Sequence, residues 1–232
     1  METIDTLALT LGAGWAAGIN LYAAILVLGY LGMTGHVVLP PGLEVLSDPL
    51  VMGIAGIMYF IEFFADKTPG VDSGWDALHT FVRIPAGALL AAGAASGFEV
   101  NQAAELAAAL VGGTMAAGSH FTKAGTRLMI NTSPEPVTNW TASIAEDLAV
   151  IGGLWAALHY PLAFIIMLLL FVALVIWLLP KIWRALKSLF RRIGALFGKE
   201  PPLAEATGGR PEDPDVLKSL FHTANSDQNM EK

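Results

Sequence analysis

The sequence predicts an all-α membrane protein of about six transmembrane or partly broken helices with an internal, inverted repeat. A basic amphipathic helix and a disordered C-terminal tail follow. Three observations support this fold class. Of 232 residues, 54% are hydrophobic and only 14% charged, against about 25% charged in soluble domains. Residues 162–179, LAFIIMLLLFVALVIWLL, contain no charge and no glycine, and come close to the roughly 20 apolar residues that cross a bilayer. Acids and bases are also segregated along the chain, so the net charge of −7 describes no single region. Mean hydropathy is +0.58.

The first candidate span, 5–33, follows METIDTLAL, whose Glu2 and Asp5 come with no base. It is therefore expected to stay as a span and not to be a cleaved signal peptide. LPPGLEVLSDP, 39–49, has the Pro and Gly density of a loop. Candidate spans 50–64, 77–97, 102–130 and 140–160 are each interrupted by glycine or polar residues. Pro161 is expected to open the last span and Pro180 to close it. Beyond it, KIWRALKSLFRRIGALFGK sets Lys181, Arg184, Lys187, Arg191 and Arg192 at helical spacing. Trp183, Leu186, Leu189 and Phe190 cover another face, which suits an amphipathic helix on an anionic cytoplasmic surface. From Glu200 the chain is rich in Pro, Gly and acid, as a disordered tail is. The expected organisation is a membrane domain at 1–180 (repeat halves 5–97 and 102–180), the basic helix at 181–199 and the tail at 200–232.

The absence of cysteine excludes disulfides, thiolate metal sites and cysteine nucleophiles. The expected outer loops, 36–49 and about 99–101, contain no Lys or Arg, whereas Lys67, Lys123 and Arg127 fall at or near the opposite ends. With the basic segment after 180, the positive-inside rule puts both termini in the cytoplasm. The partners expected are the lipid bilayer, a small ion or polar solute and a second copy of the chain. Neither nucleic acid nor a cofactor is expected.

An offset of 65 residues brings Asp66 onto Asn131, Pro69 onto Pro134, Trp75 onto Trp140 and Gly87 onto Gly152. An offset of 100 brings LGAGWAAGINLYAA (11–24) onto VGGTMAAGSHFTKA (111–124). The first match, two spans apart, implies a parallel relation if every segment crosses fully. The second, three spans apart, implies an inverted repeat, the arrangement that carries interrupted helices and central sites in transporters. Both hold together only if some segments are broken or re-entrant.

The charges fall on stripes. Asp72, Asp76, His79 and Arg83 stand at i, i+4, i+7 and i+11, and so share one helix face. His120, Lys123, Arg127 and Asn131 form a second stripe, Glu62 and Asp66 a third, and Asn139, Ser143 and Glu146 a fourth. Because a lipid-facing charge costs several kcal/mol, the stripes should face one another or a water-filled path. The first stripe is expected to face the second, with Glu62 and Glu146 closing a ring. Asn20, Lys67, Ser133, Glu135 and Asp147 complete the candidate pathway. Pro69, Gly70, Gly74, Pro134 and Pro136 favour irregular backbone beside it.

GINLYAAILVLGYLG, EFFADKTPGVDSGWDALHTFVRIPAGALLA and HFTKAGTRLMINTSPEPVTNW with SIAED together resemble a bacterial membrane family, the domain-of-unknown-function 4126 family, over about 12–157. The resemblance implies a multi-pass protein of a bacterial cytoplasmic membrane and supplies no activity. On residues alone, the leading reading is a small transporter or channel for an ion or small polar or anionic solute, without catalytic residues. An intramembrane metal-dependent enzyme or lipid-carrier protein is the alternative, with Asp66, Asp72, Asp76 and His79 as ligands. A membrane scaffold or assembly factor is the third.

The orientation has a direct test. Cysteines introduced at Gly42 and Ala204 should be labelled by an impermeant thiol reagent from opposite faces of the membrane. Labelling of both from one face would contradict six spans.

Overall fold

The computed structural model describes residues 3–68, 70–97, 102–131 and 136–196. Six α-helices and one short 3-10 helix make up nearly all of them. Helix α1 runs Thr3–Met33, the 3-10 helix Pro41–Ser47, α2 Pro49–Ala65, α3 Val71–Ala95, α4 Gln102–Ile130, α5 Pro136–His159 and α6 Pro161–Leu196. Of the described residues, 3–187 fall in one compact unit and 188–196 in a second.

Local chemistry sets the helix ends. Asp48 caps α2, its Oδ1 accepting from Leu50 N at 2.7 Å, with Pro49 at the first helical position. Gly70, at φ +85°, supplies the positive-φ turn from which α3 starts. Helix α1 is interrupted at Asn20, whose φ of −147° and ψ of 97° are extended. Asn20 Oδ1 accepts from Ala23 N at 3.0 Å, the geometry of a capping residue opening a second helix.

Four helices are long and apolar enough to cross a membrane: Thr3–Met33, Val71–Ala95, Val137–His159 and Pro161–Ala185. The 3-10 helix and α2, bent by 69° at their junction, would make a fifth span if taken together. The chain is thus an all-helical, multi-pass membrane protein. Helix α4 is long enough but falls outside this set. It carries Glu105, Lys123 and Arg127 and packs against α1 and α3, where protein and not lipid meets its polar face.

Helices α1, α3 and α4 approach closely through small residues. A Cβ on Gly14 would stand 2.7 Å from Gly112 Cα, and one on Gly87 2.5 Å from Ala116 Cβ. At Gly18 a Cβ would collide with Ser119 Oγ and the Ala116 carbonyl. Such contacts let backbones meet where Cβ atoms would hold them apart. Leu162, Leu169, Leu170, Ile176 and Trp177 of α6 are exposed, as a lipid-facing helix requires.

Three expectations need correction. Pro180 does not end the last span: it lies inside α6, which continues to Leu196. Loss of one backbone donor does not stop a helix long enough to keep its other bonds. Helix α3 begins at Val71 and not near 77, and α5 at Pro136 and not near 140, so Gly74 and Pro136 are helical and not irregular. The 39–49 loop is itself largely a 3-10 helix. Helices α3 and α5 begin at Val71 and Pro136, positions that the 65-residue offset pairs. Pro69, Pro134 and the tail from 200 lie outside the described residues, as do the side chains of Leu186, Leu189, Phe190 and Arg192.

Replacing Gly18 with Ala should lower the melting temperature in detergent, because the added methyl meets the Ala116 backbone. Replacing Gly53, which has nothing within 4 Å, should raise stability by about 0.5–1 kcal/mol through helix propensity alone. Equal effects at the two sites would contradict the packing account.

Candidate functional site

Each polar stripe turns inward. Asp72, Asp76, His79 and Arg83 of α3 are buried, as are Lys123, His120 and Arg127 of α4, with Glu62 from α2 and Asp66 just past its end. Asn139, Ser143 and Asp147 of α5 are buried beside them, and Lys67 lies in the turn after α2. Glu146 is the most open member of the cluster, with its side chain 20% exposed.

Arg83, fully buried, divides its guanidinium between two acids. Nη2 donates to Glu62 Oε1 at 2.7 Å and Nη1 to Asp76 Oδ1 at 3.0 Å. Nη1 also lies 3.1 Å from His120 Nδ1. Arginine can only donate, so Nδ1 accepts and His120 is the neutral tautomer with its proton on Nε2. That nitrogen meets Thr80 Oγ1 at 2.8 Å, and Thr80 donates onward to the Asp76 carbonyl at 3.1 Å. A guanidinium in this position fixes histidine orientation as well as charge.

Lys123 sits at the centre. Its Nζ lies 2.7 Å from Asp66 Oδ2, 3.4 Å from Glu146 Oε2, 3.5 Å from Glu62 Oε1 and 3.9 Å from Asp76 Oδ1. It also donates to the Ile19 carbonyl at 3.1 Å. In an unbroken α1 that carbonyl would accept from Ala23 N, four residues on. The break at Asn20 gives Ala23 N to the asparagine side chain instead, and the freed carbonyl becomes part of the site.

Arg127 forks onto Glu146, Nε to Oε1 at 3.1 Å and Nη2 to Oε2 at 2.7 Å. Its Nη1 donates to the Asp66 and Asn139 carbonyls at 2.8 and 3.2 Å, tying the end of α2 to α5. Asp147 accepts from Asn20 Nδ2 at 2.9 Å and from Tyr59 Oη at 3.0 Å. Lys67 donates to Ser143 Oγ and the Phe63 carbonyl, both at 3.1 Å, over the Phe63 ring.

The facing of the two main stripes is partly as expected. Asp76 and Arg83 do meet His120 and Lys123, and Glu62 and Glu146 complete the group. Asp72 and His79 do not join it. Asp72 accepts from Asn131 Nδ2 at 2.8 Å and from the Gly70 and Ser73 amides. Asn131 in turn accepts from Asn139 at 3.0 Å. His79 meets Tyr22 Oη at 3.1 Å and stacks on Trp75. Asp72 thus meets the far end of the second stripe, as the facing of the two stripes requires, and in the first stripe His79 is the residue that turns to another helix, α1. Ser133 and Glu135 lie outside the described residues.

The four residues suggested as metal ligands therefore separate onto different partners. Among the described residues no group of three or more His, Asp or Glu is placed to hold a metal ion. The spacing of Asp and His on one helix was compatible with a metal, but Arg83 takes Asp76, Lys123 takes Asp66, Asn131 takes Asp72 and Tyr22 meets His79. Tyr22, Tyr59 and Thr80 also belong to the site and were not singled out in the sequence. Tyr59 could have been found, since it stands three residues before Glu62 on the same face.

Several buried atoms of the cluster have no hydrogen-bond partner: Glu62 Oε2, Asp66 Oδ1, Asp76 Oδ2 and Arg83 Nε. A cleft of about 250 Å³ opens beside Lys123 and Glu146, lined also by Ile19, Thr122, Thr126 and Phe171.

The family model described as "Domain of unknown function (DUF4126)" matches residues 7–181, well over half of the chain, and the chain belongs to that family. No curated protein and no solved structure matches it.

Arg83→Met should strand Glu62 and Asp76 in the interior and cost about 3–5 kcal/mol, read as a lower unfolding midpoint in detergent. Arg83→Lys should cost less, because it keeps the charge while losing the fork. An unchanged midpoint for Arg83→Met would show that these acids do not depend on it.

Proposed function

We propose that this chain, as a member of the DUF4126 family, is a small transporter or channel for an ion or small polar solute. Its pathway runs through the buried charge cluster of α2, α3, α4 and α5. The observation that carries this reading is a group of buried carboxylates around Lys123, three of them with an oxygen that meets no partner. A cluster kept only to hold helices together would have its polar atoms paired, since an unmet buried acceptor costs about 1–3 kcal/mol. Apolar packing would also hold a bundle at least as well as buried ion pairs.

The break in α1 supports the same reading. Irregular backbone at membrane depth is stable where it meets protein groups or lines a cavity, and broken helices supply carbonyls to ion sites in transporters. Here the freed Ile19 carbonyl turns to Lys123. In this reading the halves 5–97 and 102–180 are related by an inverted repeat and the site lies between them. Both termini are cytoplasmic, and the membrane is the bacterial inner membrane. The metal-dependent enzyme has lost its ligand set, and a scaffold role would leave the unmet carboxylate oxygens without a purpose.

Purified protein in liposomes should pass at least one member of a panel of small ions and polar solutes faster than empty liposomes. Glu62→Gln, or Glu146→Gln at the more open edge, should abolish that flux. Absence of any flux above empty liposomes would overturn the reading.

A further inference from the structure

The oxygens around Lys123 Nζ outnumber what one lysine can use. An ammonium group has three donors, whereas Nζ faces Asp66 Oδ2, Ile19 O, Glu146 Oε2, Glu62 Oε1 and Asp76 Oδ1 at 2.7–3.9 Å. Three further oxygens on the same acids, Glu62 Oε2, Asp66 Oδ1 and Asp76 Oδ2, meet nothing, and their side chains are no more than 4% exposed. The charges are also unequal. Glu62, Asp66, Asp76 and Glu146 present four carboxylates, and Arg83, Lys123 and Arg127 present three cations.

The size of the shell narrows the class of cation. Charge-assisted N–H···O contacts fall near 2.7–2.9 Å, whereas oxygen-bound divalent metals need about 2.0–2.6 Å. Among the described residues no oxygen contact to Nζ is shorter than 2.7 Å, and no three acids converge on a metal-sized point. With one oxygen at 2.7 Å, one at 3.1 Å and three at 3.4–3.9 Å from Nζ, the shell is wider than a divalent metal takes and fits an ammonium group held on its nearest oxygens. It is reached from the cleft, whose wall includes Lys123 itself, Glu146 and the hydroxyl-bearing Ser119, Thr122 and Thr126. Thr122 donates to the Gly118 carbonyl at 2.7 Å and Ser119 to the Trp15 carbonyl at 2.9 Å. Their oxygens keep lone pairs for a passing cation.

We infer that the oxygen shell around Lys123 is a binding site for a small ammonium-type cation, ammonium itself or a short primary amine, which displaces the lysine. Lys123 is then a tethered occupant of the site, and the solute enters past Glu146 and Phe171. This deepens the transport reading, on which it rests for the meaning of the site, by naming the class of solute.

Methylammonium is the probe, with choline, too bulky for the shell, as the control at equal ionic strength. A tethered competitor that fills the shell more than about nine-tenths of the time weakens apparent affinity at least about tenfold. Lys123→Met should therefore bind methylammonium at least that much more tightly than the wild type, read as a saturable thermal shift that choline does not give. Equal binding by the two proteins, no binding by a folded variant, or an equal choline effect would overturn the inference. If Lys123→Met does not fold, uptake of radiolabelled methylammonium by wild-type proteoliposomes decides. Saturable uptake, lost in Glu146→Gln, is expected, and its absence would overturn the inference. Flux of another solute without methylammonium binding would sink the ammonium site alone. Tight binding to Lys123→Met with no flux of any solute would leave the site standing and sink transport.

Discussion

A charge facing lipid costs several kcal/mol, and this chain places acids and bases on four of its helices. Nearly every feature of the interior follows from that constraint. Arg83, Lys123 and Arg127 stand on α3 and α4 and draw in acids from α2, α3 and α5. The arginines take the positions where two partners must be held at fixed angles, and the lysine takes the one where several oxygens surround a point. That division follows the shapes of the two groups.

The small residues along α1, α3 and α4 do a different job. Gly14 against Gly112 and Gly18 against Ala116 bring α1 onto α4, whereas the 2.7 Å ion pairs reach from α3 and α4 across to α2 and α5. The core is therefore built in two registers: glycine and alanine contacts set the helix spacing, and the charged side chains bridge what remains. Leu9, Leu28, Val150, Leu154 and Phe164 pack an apolar core beside it, and exposed apolar side chains are plentiful on α6.

Much of this was legible in the sequence, because helical spacing is a strong signal when the background is apolar. The i, i+4, i+7, i+11 stripes of α3 and α4 correctly placed Arg83, His120, Lys123 and Arg127 inside. The ends of α4 could also be seen. Spacing within one helix cannot say which neighbour a side chain meets, so the diversion of His79 to Tyr22 was out of reach. Pro180 misled because a lone proline is a weak stop for a long apolar helix. Tyr22 and Tyr59 were hidden by their own chemistry, since a tyrosine among apolar residues looks like packing until a carboxylate or imidazole is seen at its hydroxyl.

The interruption of α1 bears on how the protein is made. The Ile19 carbonyl is met by Lys123 and the Asn20 amide by Asp147, both supplied by segments synthesised more than a hundred residues later. Within this bundle the earliest-made helix thus carries a defect that the fourth and fifth helices repair. Until they arrive, that backbone gap has to be met by water or by the insertion machinery. Biogenesis of this small bundle is therefore ordered by chemistry as well as by sequence, with its earliest segment among the last to be completed.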